Sequence, residues 1–288
     1  KSSAGLSAAL HAVGTGVLGA GIYLAGQIFN MAEHWPGALM LWSFGAAAGV
    51  LLLRQWPQVL WLALLAPAWL WGEWLEAQSP HPVEHGLIPA AIGLFLLACA
   101  YLAATPPDSN ARWRRALAWL GALGLIPSAL MLATTGIYDW RWHGEPLGEP
   151  DLSAVIIAWT LAIALPFAVA VALRGRAAVY LLLALGWAFL VTQLESRPDS
   201  GELALYALMA IGAVGIVLWG VKDQQRLAVN VGVLGFALTI IGFYFSNIFG
   251  KLDRALGLIG IGVVFLGGGW LLERMRRRLV GRIGRAGP

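Results

Sequence analysis

Charge is what this sequence has least of. Only 12% of its residues are Asp, Glu, Lys or Arg, whereas a soluble domain carries about a quarter. So few charges cannot build a water-facing surface for 288 residues, so lipid has to cover most of it. Cysteine is down to Cys99 alone, inside an apolar run. A single cysteine excludes an internal disulfide, and without a CxxC pair no thiol chemistry is implied. Cys99 reads as a packing residue. The sequence also lacks a GxxxxGK[ST] phosphate loop, a GxSxG elbow and an HExxH helix. It has no arginine-rich voltage-sensor span and no TVGYG filter.

What is abundant is apolar sequence, at 59% of residues. It falls into ten stretches, 5–25, 37–53, 57–76, 86–104, 115–135, 153–173, 177–194, 203–221, 227–246 and 255–273. A membrane span needs about 20 mostly apolar residues. Backbone groups cannot stay unpaired in hydrocarbon, so these stretches are predicted to be helices. A transmembrane β-barrel would instead show alternating segments of about ten residues. The expected fold is an all-α polytopic integral membrane bundle of ten transmembrane helices, one domain over 1–288, with both termini cytoplasmic. The sequence opens at Lys1, which leaves room for a segment upstream. The first apolar stretch lacks a cleavage-site pattern and reads as a retained span.

The connectors support that count. With Lys1 inside and sides alternating, 15 of the 19 basic residues fall on the inner side, leaving Arg141, Arg197, Lys251 and Arg254 outside. Of the acids, only Asp108, Asp223 and Glu273 fall inside. One missed or invented helix would flip every later connector and destroy this sorting. The net charge of +4 and pI near 9.5 are therefore topology rather than a nucleic-acid surface. The basic tail 274-RMRRRLVGRIGRAGP-288 reads as an anchor for anionic headgroups. It lacks the interleaved aromatics and surrounding domain of a nucleic-acid binder.

Trp35, Trp56, Trp74, Trp113, Trp140 and Trp142 sit at predicted helix ends, as interfacial aromatics do. Glycines gather in the first and last spans, where small residues let helices approach closely. Ten helices divide into two halves of opposite topology, the arrangement behind inverted repeats. Residues 1–140 and 150–288 show no convincing self-similarity.

Three groups of residues could carry chemistry. His81-Pro82-Val83-Glu84-His85 formally reads HxxEH, in which two histidines hold zinc and a glutamate acts as base. Pro80 and Pro82 forbid helix interior at His81, so catalytic zinc is disfavoured. A metal held by His81, Glu84 and His85 and a polar cap on the fourth span are the remaining readings. Glu73 and Glu76, three apart at the end of the third span, share a helical face. They either meet headgroups or, if Glu73 lies deeper, form a proton or cation site. The third group is polar residues in or near spans. Asn30, Glu33 and His34 form an outer cluster, and Gln27, Asn230 and Asn247 stand nearby or within helices. Interhelical hydrogen bonding is the competing role for each of them.

Two segments look familiar. They are 21-GIYLAGQIFNMAEHWPGALMLWSFGAAAGVLLLR-54 and 243-FYFSNIFGKLDRALGLIGIGVVFLGGGWLLERMRRRLV-279. They resemble a bacterial family of multi-pass membrane proteins known only as a domain of unknown function. Members tend to carry a short soluble segment before the first span, and some occur beside or fused to small membrane proteins with a GDYxxLxY motif. The resemblance implies a bacterial cytoplasmic-membrane protein with no established activity and suggests a companion membrane protein; no cofactor is expected. It points to Gln27, Asn30, Trp35, Asn247, Lys251 and Asp253 as residues to test. Length and span number also resemble the drug and metabolite exporter superfamily, without its first-helix motif. The leading expectation is a non-enzymatic carrier or binder of a small or lipid-like envelope molecule, in contact with membrane lipids. The alternatives are a scaffold for another envelope protein, or an intramembrane enzyme using Glu73, Glu76 and the 81–85 loop.

Overall fold

The computed structural model describes residues 2–29, 34–78, 86–106, 111–135, 152–195 and 201–248, with 262–263, 266–270 and 273–274. Among the described residues the regular elements are all helical. They are α1 (Ser2–Ile28), α2 (Pro36–Leu53), α3 (Trp56–Ala77), α4 (Ile88–Leu102), α5 (Arg112–Thr134), α6 (Leu152–Arg174), α7 (Tyr180–Glu195), α8 (Gly201–Lys222) and α9 (Arg226–Phe243). A 3-10 turn, Gly175–Val179, follows α6, and a π-helical turn, Tyr244–Ile248, extends α9. The nine helices follow the first nine predicted spans to within a few residues. The tenth, 255–273, is helical in its described pieces, and the rest of it lies outside the described residues.

Local sequence sets the helix boundaries. Pro36, Pro57 and Pro89 stand in the first turns of α2, α3 and α4, where a missing N–H costs no helical bond. Three tight turns at one end of the bundle each contain a left-handed residue: Arg54 (φ 52°), Gly175 (φ 58°) and Gln224 (φ 56°). A left-handed residue stops a helix and redirects the chain.

The stretch Leu152–Leu194 is continuous in hydropathy but folds as a hairpin. Trp159 and Phe189 stack with centroids 5.7 Å apart and planes within 6°. They lie equally far in sequence before and after Arg174. On one straight helix they would be separated by about 45 Å at ~1.5 Å per residue. The chain therefore reverses at Gly175, and α6 and α7 run antiparallel. Hydrogen bonds between connectors extend the up-and-down pattern. The α4–α5, α6–α7 and α8–α9 connectors all meet at the end that carries Arg114, Arg174 and Gln225.

The core is built around α4, which packs on α5, α6 and α7 and touches α3. Ala91, Ile92, Leu96 and Ala100 are fully buried, and no residue of α4 is exposed. Gly121 of α5 permits the closest crossing. A Cβ there would stand 2.5 Å from the Ala98 carbonyl oxygen, so the two backbones touch. Around this centre the perimeter is apolar, with Leu52 at 82% and Leu183 at 80% exposure. A surface of that kind suits lipid rather than water. Among the described residues six stretches are long and apolar enough to cross a membrane: α1, α2, α5, α6 with α7, α8 and α9. At 15 residues α4 is shorter, about 22 Å against a hydrocarbon core of ~30 Å.

Polar bonds hold α1, whose outer side is largely exposed. Trp42 and Trp61 donate indole N–H groups to the Thr15 and Ala12 carbonyls at 2.7 and 3.0 Å. Gln58 is fully buried and satisfied at both ends. Its amide donates to the His11 carbonyl at 3.1 Å and its oxygen accepts from the Thr15 hydroxyl at 2.8 Å. Such interhelical bonds hold helices together where lipid offers no competing partner.

Candidate functional site

A cavity of about 310 Å³ lies between α3, α4 and α6. Small-molecule sites are usually ~300–1,000 Å³ and mostly apolar with a few placed polar groups. The inner wall is α4, where Gly93 lets Ala162 of α6 approach: a Cβ on Gly93 would be 3.1 Å from the Ala162 Cα. Ile157 and Leu161, both on the exposed perimeter, form an apolar lip. Trp71 and Trp74 line the α3 side.

Proline shapes this space. Pro67 of α3 and Pro166 of α6 lie inside their helices and both line the cavity. Each removes the N–H that would bond the carbonyl four residues earlier and bends the helix there. The carbonyl freed by Pro67 is that of Ala63, and the Tyr101 hydroxyl of α4 donates to it at 3.3 Å. The carbonyl freed by Pro166 belongs to Ala162, itself a lining residue.

The charged group of the cavity is Glu73. Its carboxylate accepts the Trp69 indole N–H at 2.7 Å, one helical turn back on α3. It also pairs with His34, whose Nε2 is 3.2 and 3.0 Å from the two carboxylate oxygens. Both partners are part-exposed, at 53% for His34 and 35% for Glu73, so the pair is worth little stability by itself. Its effect is to aim the carboxylate. His34 is held near by Trp35, whose ring packs on Gly72, where a Cβ would lie 2.9 Å from it. On the other side the Trp74 indole donates to the Gly86 carbonyl at 2.5 Å. The end of α3 is thus pinned by the segments before α2 and before α4.

Of the residues singled out by sequence, the structure brings together Glu73 and His34. Glu76, one turn further, is half-buried and does not line the cavity. Gln27 is exposed at the end of α1. Asn230 is exposed near the start of α9, at the opposite end of the bundle from Glu73. Asn247 falls in the π-helical turn. Asn30, Glu33, His81, Glu84, His85, Lys251 and Asp253 lie outside the described residues. Among the described residues no three His, Cys, Asp or Glu side chains gather as a metal site.

Sequence reasoning missed a second polar centre, at the basic end. Arg174, the last residue of α6, places Nη2 2.5 and 2.6 Å from the two carboxylate oxygens of Asp223, beyond α8. Their side chains are 7% and 19% exposed. The Gln225 amide bridges the Asp223 carboxylate (3.0 Å) and the Thr105 carbonyl (2.6 Å). Arg114 of α5 donates to the carbonyls of Ala104 (3.0 Å) and Leu173 (2.7 Å). These are C-terminal helix carbonyls without helical partners, which a guanidinium suits. The clue in the sequence was Asp223 itself, one of only three acids among the inner connectors.

No family model, characterised protein or solved structure matches this chain. Its class rests on its own architecture. Among the described residues the regular structure is all helical, with six stretches long and apolar enough to cross a membrane, the architecture of a multi-pass membrane protein.

Proposed function

We propose that the protein is a ten-span protein of a bacterial cytoplasmic membrane that binds or carries a small amphipathic or lipid-like molecule in the cavity beside Glu73. One observation carries this reading: an apolar chamber with its lip on the lipid-facing perimeter and an aimed carboxylate among its lining. An apolar tail entering between α3 and α6 would reach the Gly93 wall. A cationic or hydrogen-bond-donating head would meet Glu73 and the Ala162 carbonyl. The prolines in both flanking helices give them points at which to bend as a ligand enters. The end with the basic connectors faces the cytoplasm, in keeping with the positive-inside rule. The Glu73 end then faces outward.

The test is native mass spectrometry of the gently purified chain, wild type against Ala162→Trp and Glu73→Gln. Wild type should retain a defined small molecule or lipid above the 30.7 kDa chain. Ala162→Trp, which fills the chamber, should lose it, and Glu73→Gln should weaken retention. A bare wild-type chain, or the same adduct on all three proteins, would remove this assignment.

A scaffold role has one observation of its own. Gly14 and Gly21 of α1, two helical turns apart on one face, have nothing within 4 Å of an added Cβ among the described residues. An open small-residue face is where another helix could dock. Co-purification of a second membrane protein, lost in Gly14→Leu, would favour that role over the chamber.

A further inference from the structure

The Arg174 centre has more donors than its own partners use. Asp223 engages Nη2 alone, and the N–H groups of Nε and Nη1 are buried without an acceptor among the described residues. Two hydroxyls at this end of the bundle are in the same condition. The Tyr180 hydroxyl is buried and unpartnered, within electrostatic reach of both Arg174 and Asp223. Its ring stacks on Trp219 at 5.3 Å, and the Trp219 carbonyl takes the Asp223 N–H at 2.8 Å. The Thr105 hydroxyl is also buried and unpartnered, on the residue whose carbonyl holds Gln225. Native proteins rarely leave buried donors unmade, and a charged one is the most costly to leave.

Every group left over can donate a hydrogen bond. Both Asp223 oxygens are already engaged, so the groups left over are guanidinium N–H and hydroxyl O–H. A water molecule would accept from the guanidinium and donate to a hydroxyl oxygen, but it cannot accept from every member of the set at once. An oxyanion brings only acceptors. Arg114 and Arg174 against Asp223 leave the centre with an excess positive charge, on the face that carries Arg112, Arg115, Arg176 and Arg226. Guanidinium flanked by hydroxyls is a usual phosphate-binding chemistry.

We propose that the Arg174–Tyr180–Thr105 centre binds a phosphate group at the basic end of the bundle, supplied by an anionic phospholipid headgroup or by a free phosphate. Arg174 uses Nη2 on Asp223 and presents its other nitrogens to the phosphate oxygens, and the two hydroxyls complete the set. Asp223 holds the guanidinium in place when the ligand is absent. The inference is independent of the Glu73 chamber, at the opposite end of the bundle.

The test uses the full chain in detergent and reads thermal stabilisation by three probes: inorganic phosphate, phosphatidylglycerol and phosphatidylcholine. Two variants separate the site from the general basic face. Arg174→Lys leaves one cation for Asp223 and removes the spare guanidinium donors. Tyr180→Phe removes only a hydroxyl and keeps the ring on Trp219. Saturable stabilisation by phosphatidylglycerol alone assigns the lipid source, and stabilisation by inorganic phosphate assigns the free one. In either case each variant should raise the apparent Kd about tenfold, as loss of a charge-assisted hydrogen bond does. Stabilisation that is unchanged in Tyr180→Phe would overturn the proposal, because the anion would then be bound by other basic residues. Equal response to phosphatidylcholine, or no response to any probe, would overturn it as well, leaving ordered water at the centre. If Arg174→Lys does not fold, Tyr180→Phe decides the matter alone.

Discussion

Removing the Asp223 carboxylate should destabilise the protein more than most single changes would. In Asp223→Ala the Arg174 side chain, 7% exposed, keeps its charge and loses its counter-ion. All three guanidinium nitrogens would then lack acceptors, with the Arg114 guanidinium still held beside Leu173. Breaking one side of a buried pair costs ~3–5 kcal/mol, because a desolvated charge is stranded. For a chain of this size that is a fall in Tm of roughly 5–10 °C. Replacing both partners by apolar residues of similar bulk, Arg174→Met with Asp223→Leu, strands no charge and should recover most of the loss. Thermal unfolding in detergent with a thiol-reactive dye is a direct assay. The chain has one thiol, on Cys99, which packs against the core until the bundle opens. If the single variant melts with wild type, the pair is not buried as described. If the double variant melts as low as the single, the cost lies in lost shape rather than stranded charge.

Two further substitutions probe packing. Gly121→Ala puts a methyl against the α4 backbone and should cost ~1–3 kcal/mol, read as a lower Tm, whereas Gly124→Ala on the next turn, 3.7 Å from the Ala98 methyl, should cost much less. Tyr101→Phe leaves the Ala63 carbonyl, freed by Pro67, without its donor. It should lower stability by about 1 kcal/mol and raise hydrogen exchange around Pro67.

Helix positions were legible in the sequence because runs of apolar residues between charged connectors need no tertiary information. Arg114, Arg174 and Gln225 meet at one end, as successive helices running up and down require. The sites were less legible. Glu73 was recognised as an acid at a helix end, and its pairing with His34 crosses 39 positions along the chain. The Arg174–Asp223 pair spans 49. Each of its members had been explained by topology, which accounts for the sign of a charge and not for its burial. Pro67 and Pro166 carried a signal that went unread, since only the fold shows that both bends border one chamber.

The central position of α4 has a consequence for how this sequence can vary. Helices on the perimeter, such as α1, have a lipid side on which any apolar residue serves, so tolerated substitutions should recur with the helical period. No residue of α4 is exposed, so the helix has no tolerant side. In a saturation scan scored by the amount of folded protein in the membrane, α1 should show peaks every three to four residues. The profile of α4 should be uniformly low from Pro89 to Leu102, making the shortest of the nine described helices the least free to drift.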